Sequence, residues 1–371
     1  MTTAVDVIVV GGGAVGATCA RELARAGRRV LVVERGADAG EAWKASAGML
    51  APQVEASEET PLFELGVLAR DLYRELAPAL REATGVDIGL RQEGIARLAF
   101  DEADAEALRD RVSWQRQQGH VADWLDDEEA ANRWPWLRDC RGALWAPEEG
   151  ALDAQALVAA CLEDARRHGA VVVADEVRAV ERRGDRVTGV IGRERYAAPD
   201  VIIAAGAWSP LVAGLPSPLP VAPIRGQMAE LPRPEGTARG IFYIKHAYAL
   251  FREDGIAAGS TMEYAGYDPA TTEEGIAGIL DAASRICPQL RGREPRRTWA
   301  GLRPGTPDGA PLIGREPALD GLWYATGHGR HGILLAAITG VIIRQLLQRE
   351  PTVLEDLSAV DPARFWGWIR G

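Results

Sequence analysis

Lysine is all but missing from this sequence: Lys44 and Lys245 are the only two, and the remaining cations are arginines scattered along the chain. The formal net charge is −11. Nucleic-acid backbones are held by clustered cations that displace counterions, so the net negative charge and the lack of a basic stripe disfavour nucleic acid as the main partner. Cysteine is sparse as well. Cys19, Cys140, Cys161 and Cys287 lie far apart, with no Cys-x-x-Cys pair and no histidine at ligand spacing. That pattern argues against a disulfide framework or a metal site and for reduced, structural thiols. No stretch supplies the roughly 20 uninterrupted apolar residues of a membrane span. Met1 to Asp6 carries no basic segment, signal-length apolar run or cleavage pattern, so a cytoplasmic location is expected.

What is present is the composition of an ordinary globular protein, 47% hydrophobic and 26% charged, over 371 residues. That length favours two packed units, each with its own core. The chain opens with an apolar strand (Val5–Val10), a glycine-rich turn, a helix (Ala14–Ala26) and a second strand (Arg29–Glu34), the start of a parallel βαβ sheet. Helical patterns follow at Pro61–Thr84 and Asp101–Gln118, with a strand at Ile95–Phe100 between them. A helix at Asp153–His168 and strands at Ala170–Val173, Ala179–Glu181, Val187–Ile191 and Val201–Ala204 return to the first unit. From Leu219 to about Ala300 the texture is one of hairpins, notably Tyr243–Phe251 turning through Arg252-Glu253-Asp254-Gly255 into Ile256–Met262. The last part carries a strand at Leu322–Ala325, a glycine-rich turn and a helix from Gly332 to Gln348. The units are therefore interleaved: 1–80, 146–218 and 301–371 form one, 81–145 and 219–300 the other.

Gly11-Gly12-Gly13-Ala14-Val15-Gly16 holds Gly-x-Gly-x-x-Gly between a strand and a helix, the context in which that motif binds a dinucleotide. Gly11 permits the tight turn, Gly13 lets backbone N–H groups approach a pyrophosphate, and Gly16 lets the helix pack on the strand. The positive end of the helix then faces the phosphates. Glu34 closes the second strand about 20 residues on, where a carboxylate accepts from ribose hydroxyls and disfavours a 2′-phosphate. NAD and FAD both satisfy this pattern.

Three further segments separate them. Ala45-Ser46-Ala47-Gly48-Met49-Leu50, Ala204-Ala205-Gly206-Ala207-Trp208-Ser209, and Trp299 to Thr306 with Asp308-Gly309 and Gly327 to Ala336 together resemble the D-amino acid oxidase family, most closely the glycine oxidases associated with thiamine synthesis. The resemblance runs from Gly11 to Ala336. It implies an α/β fold in which a Rossmann-like FAD-binding domain of the glutathione-reductase type is interleaved with an antiparallel-sheet α+β substrate domain. It also implies non-covalent FAD held by Gly11, Gly13, Ala14, Val15, Gly16, Glu34 and Arg35 at the dinucleotide turn, and by Ala47, Gly48 and Met49 beyond it. Val177, through its backbone, Ala205, Gly206 and Trp208 follow, with Arg303 and the run His328, Gly329, Arg330, His331, Gly332, Ile333 and Leu334. The helix after Gly332 would turn its positive end toward the pyrimidine side of the flavin, where negative charge develops on reduction.

For the substrate, the resemblance makes Arg303 the carboxylate clamp, a task suited to a planar guanidinium. Tyr248 is the pocket tyrosine assisting it. Alternation along Tyr243–Phe251 sets Ile244, His246, Tyr248 and Leu250 on one face, making His246 its neighbour. Met49 and Met262 line the cavity, and Arg330 stands near the flavin and the entrance. The implied reaction is hydride transfer from the α-carbon of a small amino acid or amine to flavin N5, with oxygen reoxidising the flavin to give hydrogen peroxide. None of the five histidines is required as a general base. Glycine, sarcosine, D-alanine, D-proline and bulkier amines all stay open as substrates. Alternatives are an FAD amino-acid dehydrogenase using a quinone or carrier and a tRNA-modifying oxidase, the latter disfavoured by the acidic charge. A covalent flavin of the sarcosine-oxidase kind would need a C-terminal cysteine, and none follows Cys287. Trp43 and Lys44 depart from the small or hydroxyl residues of relatives. Assembly as a tetramer or dimer follows from the resemblance alone.

Overall fold

The computed structural model describes residues 5–36 and 40–366. Residues 1–4 and 367–371, the extreme ends of the predicted FAD-binding unit, lie outside the described residues.

Four short apolar runs, Val7–Val10, Val30–Glu34, Asp200–Ile203 and Leu322–Thr326, have apolar side chains in succession, the mark of parallel strands covered on both faces. They form the centre of a six-stranded sheet in the order Leu312–Arg315, Leu322–Thr326, Asp200–Ile203, Val7–Val10, Val30–Glu34, Val171–Ala174. All neighbours are parallel except Leu312–Arg315. Period-2 alternation divides the side chains between two cores. Val7, Val9, Val30 and Val32 pack against the helices Ala14–Arg25, Ala154–Arg167 and Ala336–Gln348. Ile8, Val10, Leu31 and Val33 face Val180, Val187 and Val190 of a three-stranded antiparallel meander spanning Ala179–Ala197.

The second sheet has eight strands, Arg297–Gly305, Ala222–Leu231, Ile256–Gly259, Ala247–Phe251, Gly240–Ile244, Ile95–Ala99, Gly142–Ala146 and Asp123–Leu125 in spatial order. It is antiparallel but for the Gly240–Ile244 and Ile95–Ala99 pair. One face, with Phe242, Ala249 and Phe251, is closed by Trp134, Trp136 and the helix Glu273–Ile286. The other, with Met228, Tyr243 and Leu250, meets Val54 and the helix Glu102–Gln117, and this face looks toward the first sheet's glycine turn across the cleft described below.

Helix boundaries follow side-chain chemistry. Thr60 Oγ1 accepts from Phe63 N at 3.1 Å and Pro61 occupies the first turn, while Gly85 ends the helix in the left-handed region. Asp101 and Asp153 cap the next two long helices in the same way. Two expected elements differ. Tyr243–Phe251 is not one strand but two, joined by a tight turn at Lys245 and His246. Neither residue has a positive φ, so the turn uses none of the glycine or asparagine chemistry by which hairpins are recognised. The last helix begins at Ala336 instead of Gly332, after a 3-10 turn at Gly329–His331. The expected division at 300/301 also cuts through the strand Arg297–Gly305, which pairs along its length with Ala222–Leu231, so Arg303 belongs to the larger sheet. Among the described residues no helix is long and apolar enough to cross a membrane.

Candidate active site

A continuous cleft runs between the two sheets, from the glycine turn to Arg303 and Tyr248. At its first end, Gly11 has φ +101°, and a Cβ there would lie 2.6 Å from the Ala204 carbonyl oxygen. Only glycine fits. Gly16 lies behind the turn and does not line the cleft; a Cβ on it would come within 1.9 Å of the Gly11 carbonyl oxygen, so its part is to let the helix close on the strand. The helix Ala14–Arg25 starts at Gly13 with no side-chain cap, which leaves its first amides open beside the cleft. Glu34 Oε2 accepts from Gly12 N at 2.6 Å and Oε1 from Gly36 N at 3.0 Å, fixing the carboxylate at the cleft wall with lone pairs to spare. Arg35 stacks on Trp208, 3.9 Å from the ring centre, and Val177 and Ala205 continue the same wall.

These features fit FAD. An uncapped helix end with a glycine cradle suits a pyrophosphate, and a fixed carboxylate suits ribose hydroxyls. The cleft then continues past Ala47, Met49 and Gly206 to His328, Gly329, Arg330, Gly332 and Ile333, long enough to place a ring system beside Arg303. Tyr73, buried in the helix Pro61–Thr84, donates its hydroxyl to the Ile333 carbonyl and so anchors this turn. The turn, and not the first turn of the Ala336–Gln348 helix, faces the cleft.

At the other end, Arg303 pairs with Ile224 across the strands and reaches diagonally over Gly226. Its Nη1 donates to the Thr261 carbonyl at 3.0 Å and its Nη2 to Ser260 Oγ at 2.7 Å. Burial holds the guanidinium below its ordinary pKa; Tyr248 opposes that, Arg330 adds to it and Glu55 opposes it. The Tyr248 hydroxyl donates to Met228 Sδ at 3.3 Å, and Tyr243, directly opposite on the adjoining strand, lies 5.3 Å away ring to ring. Tyr243 in turn donates to Glu55 Oε1 at 3.0 Å.

His328 is fully enclosed, and burial, reinforced by nearby His331, pulls its pKa down to about 3. Its Nε2 lies 2.9 Å from Thr339 Oγ1, which also lies 2.7 Å from the Leu335 carbonyl oxygen. The ring is neutral, and the threonine hydroxyl can either accept from Nε2 or donate to it, according to the tautomer.

Several sequence-predicted residues stand elsewhere. His246 is exposed in the hairpin turn and does not reach the cleft, because the strand expected to carry it beside Tyr248 breaks there. Met262 is 58% exposed and outside the cleft lining, with its sulfur 3.6 Å from Arg303 Nη1; the strand ends at Gly259 and the following residues curl over the guanidinium. Gly48 lies behind the cleft, where a Cβ would meet the Leu152 carbonyl at 1.8 Å. His331 and Leu334 line an adjoining outer cavity with Phe63 and Thr60, not the cleft itself. Conversely, Glu55, Tyr243, Gly226, Met228 and Ser260 line the cleft without having been singled out. The missed hairpin hid Tyr243, and nothing in the sequence flags Glu55, the last residue of a four-residue helix.

A fold of this kind, with this cleft, defines a flavin enzyme, and the chain belongs to the FAD dependent oxidoreductase family, whose profile matches residues 6–346. Its relatives narrow the class. The glycine oxidase of Geobacillus kaustophilus is 33% identical over 376 residues, covering 100% of this chain and 99% of that protein. A crystal structure of glycine oxidase from Geobacillus kaustophilus superposes with a TM-score of 0.90 at 33% identity, covering 98% of this chain and 99% of the other. That of iminodiacetate oxidase from Chelativorans sp. BNC1 gives 0.88 at 27% identity, over 96% and 98% of the two chains.

Proposed function

We propose that this protein catalyses the oxidative deamination of a small amino acid or amine bearing one carboxylate, of the glycine and sarcosine class, with oxygen as electron acceptor. The observation that carries this reading is Arg303, a guanidinium at the end of the cleft that, among the described residues, gives two of its N–H groups to protein oxygens and approaches the Met262 sulfur with Nη1. The similarity to glycine oxidases over the whole chain supports the same reading.

Arg303 takes the substrate carboxylate through its remaining donors, and fixing that group fixes the α-carbon. Tyr248 turns its hydroxyl from Met228 to the carboxylate, and Met49 and Met228 keep water from the amine. FAD, when held by these residues, would supply the redox chemistry, a two-electron oxidation of the α-carbon with oxygen as the final acceptor. For glycine the balance is glycine, water and oxygen giving glyoxylate, ammonia and peroxide. No side chain has to remove a proton from carbon, and the neutral, enclosed His328 accords with that. Gly11, Gly13 and Glu34 hold the dinucleotide end, and Gly329 to Ile333 the ring end. A cytoplasmic location and assembly into a dimer or tetramer go with this reading.

The test is aerobic turnover with glycine, sarcosine, D-alanine and D-proline, reading oxygen uptake and peroxide together, with a soluble quinone in parallel. Peroxide formed in step with oxygen uptake is expected. Turnover only with the quinone would replace the oxidase reading by a dehydrogenase.

A further inference from the structure

Arg303 and Arg330 both line the cleft, and together they bring two positive charges to the substrate end. Glu55 shares that end. Its Oε1 accepts from Arg330 Nη2 at 2.8 Å as well as from Tyr243, and its Oε2 lies 3.5 Å from His331 Nδ1. The Glu55 side chain is 13% exposed, whereas Arg330 is half exposed at the mouth. Glu55 is held in place by its own helix: Glu149, fully buried, accepts from the Gln53 and Val54 amides. Arg97 donates to the Val54 carbonyl at 2.8 Å.

The charges then count simply. Among the groups that line this end of the cleft, Glu55 cancels Arg330 and Arg303 is left to match one carboxylate; Arg97, which feels both Glu55 and Arg330, gives its guanidinium to the Val54 carbonyl and is not part of the lining. A substrate carrying a second anionic group on its nitrogen would extend it toward the mouth, where it would meet a guanidinium already engaged and a carboxylate of its own sign. The outer cavity beside Thr60 and Phe63 adjoins this end of the cleft, with the Glu55 and Arg330 pair lining both. Charge is the barrier.

We propose that Glu55 is the residue that selects substrate charge: by holding Arg330 it admits amines with one anionic group and turns away those with two, such as N-carboxymethylglycine. Neutralising Glu55 leaves the planar guanidinium of Arg330 with an uncancelled charge, able to attract a second carboxylate, and removes the like charge that would repel it. The inference rests on the amino-acid oxidase reading for its substrates but not for its binding test.

That test uses the FAD-loaded protein and two ethers that cannot be oxidised as amines: methoxyacetate, the singly charged mimic of sarcosine, and oxydiacetate, the doubly charged mimic of N-carboxymethylglycine. Binding is read from the change in the visible flavin spectrum. The native protein is expected to bind methoxyacetate at least about tenfold more tightly than oxydiacetate, since like-charge juxtaposition is costly. Glu55→Gln shifts that ratio toward oxydiacetate by on the order of tenfold or more, and adding Arg330→Gln to it cancels the gain. Turnover of N-carboxymethylglycine relative to sarcosine should rise in parallel in the Glu55→Gln enzyme. Equal binding of the two ethers by the native protein would overturn the proposal, and so would a Glu55→Gln change that moves both ligands alike. If the ratios shift as expected while no amine is oxidised by either protein, charge selection stands and the oxidase reading falls. Should Glu55→Gln lose its FAD, the native ratio decides alone.

Discussion

Gly226 and Arg303 sit on neighbouring strands so closely that a methyl group on Gly226 would lie 2.1 Å from Arg303 Nη1. The bare glycine is what allows the guanidinium to lie flat across the strand with its Thr261 and Ser260 partners. What must yield to a methyl is the far end of a flexible side chain, not backbone. Gly226→Ala should therefore fold and keep FAD while displacing the clamp. The loss of a charge-assisted pairing worth about 1.5–3 kcal/mol corresponds to roughly 10- to 100-fold in kcat/KM for glycine or sarcosine. Steady-state kinetics beside flavin content and thermal unfolding will check this; unchanged kcat/KM in a well-folded variant would show that Arg303 tolerates displacement.

The histidines provide a second expectation. A general base contributes about 10²–10⁴ in rate, so its removal is conspicuous. His246→Ala, in an exposed turn, and His328→Gln, whose amide takes the place of Nε2 beside Thr339, should each slow the reductive half-reaction by less than about tenfold. Stopped-flow reduction is the measurement. Abolition of reduction with FAD and substrate binding intact would require a proton-transfer role that the neutral His328 ring does not suggest.

A third expectation concerns pH. Burial raises the Glu149 carboxyl from its ordinary 4.5 to about 8, partly offset by the Gln53 amide and Arg70. Between those values the folded chain keeps a proton that the unfolded chain has released. This contribution to stability is therefore full below 4.5 and lost as the pH rises to about 8. Glu149→Gln, which cannot ionise, should flatten that part of the profile. Thermal unfolding of both proteins at intervals from pH 5 to pH 9, about the window in which the group titrates, will show it; identical slopes would mean that Glu149 stays ionised throughout.

Much of this fold can be read from residue patterns because its strands and helices carry strong local signals. The Val7–Val10 and Val30–Glu34 runs, the Gly11 to Gly16 turn and the Thr60 to Gly85 helix are each specified by chemistry within a few residues. The dinucleotide end of the cleft is legible for that reason. The substrate end is assembled from separate strands, so its geometry depends on register. A turn built from Lys245 and His246 looks like strand in sequence, and reading through it puts His246 where Tyr243 belongs. Glu55 matters because of Arg330, 275 positions away, and Gly226 because of Arg303 on the next strand. Neither partnership leaves a mark on local sequence.

The most direct measurement is anaerobic titration of the purified yellow protein with glycine and sarcosine, following loss of the oxidised-flavin absorbance, with methylamine as a carboxylate-free control. The native protein should be bleached by the amino acids and not by methylamine at the same concentration, and oxygen admitted afterwards should restore the colour with formation of peroxide. Arg303→Gln should retain FAD yet need far higher substrate for the same bleaching. Bleaching by methylamine as readily as by glycine, or an Arg303→Gln protein that titrates like the native one, would contradict the account of Arg303 as the carboxylate clamp.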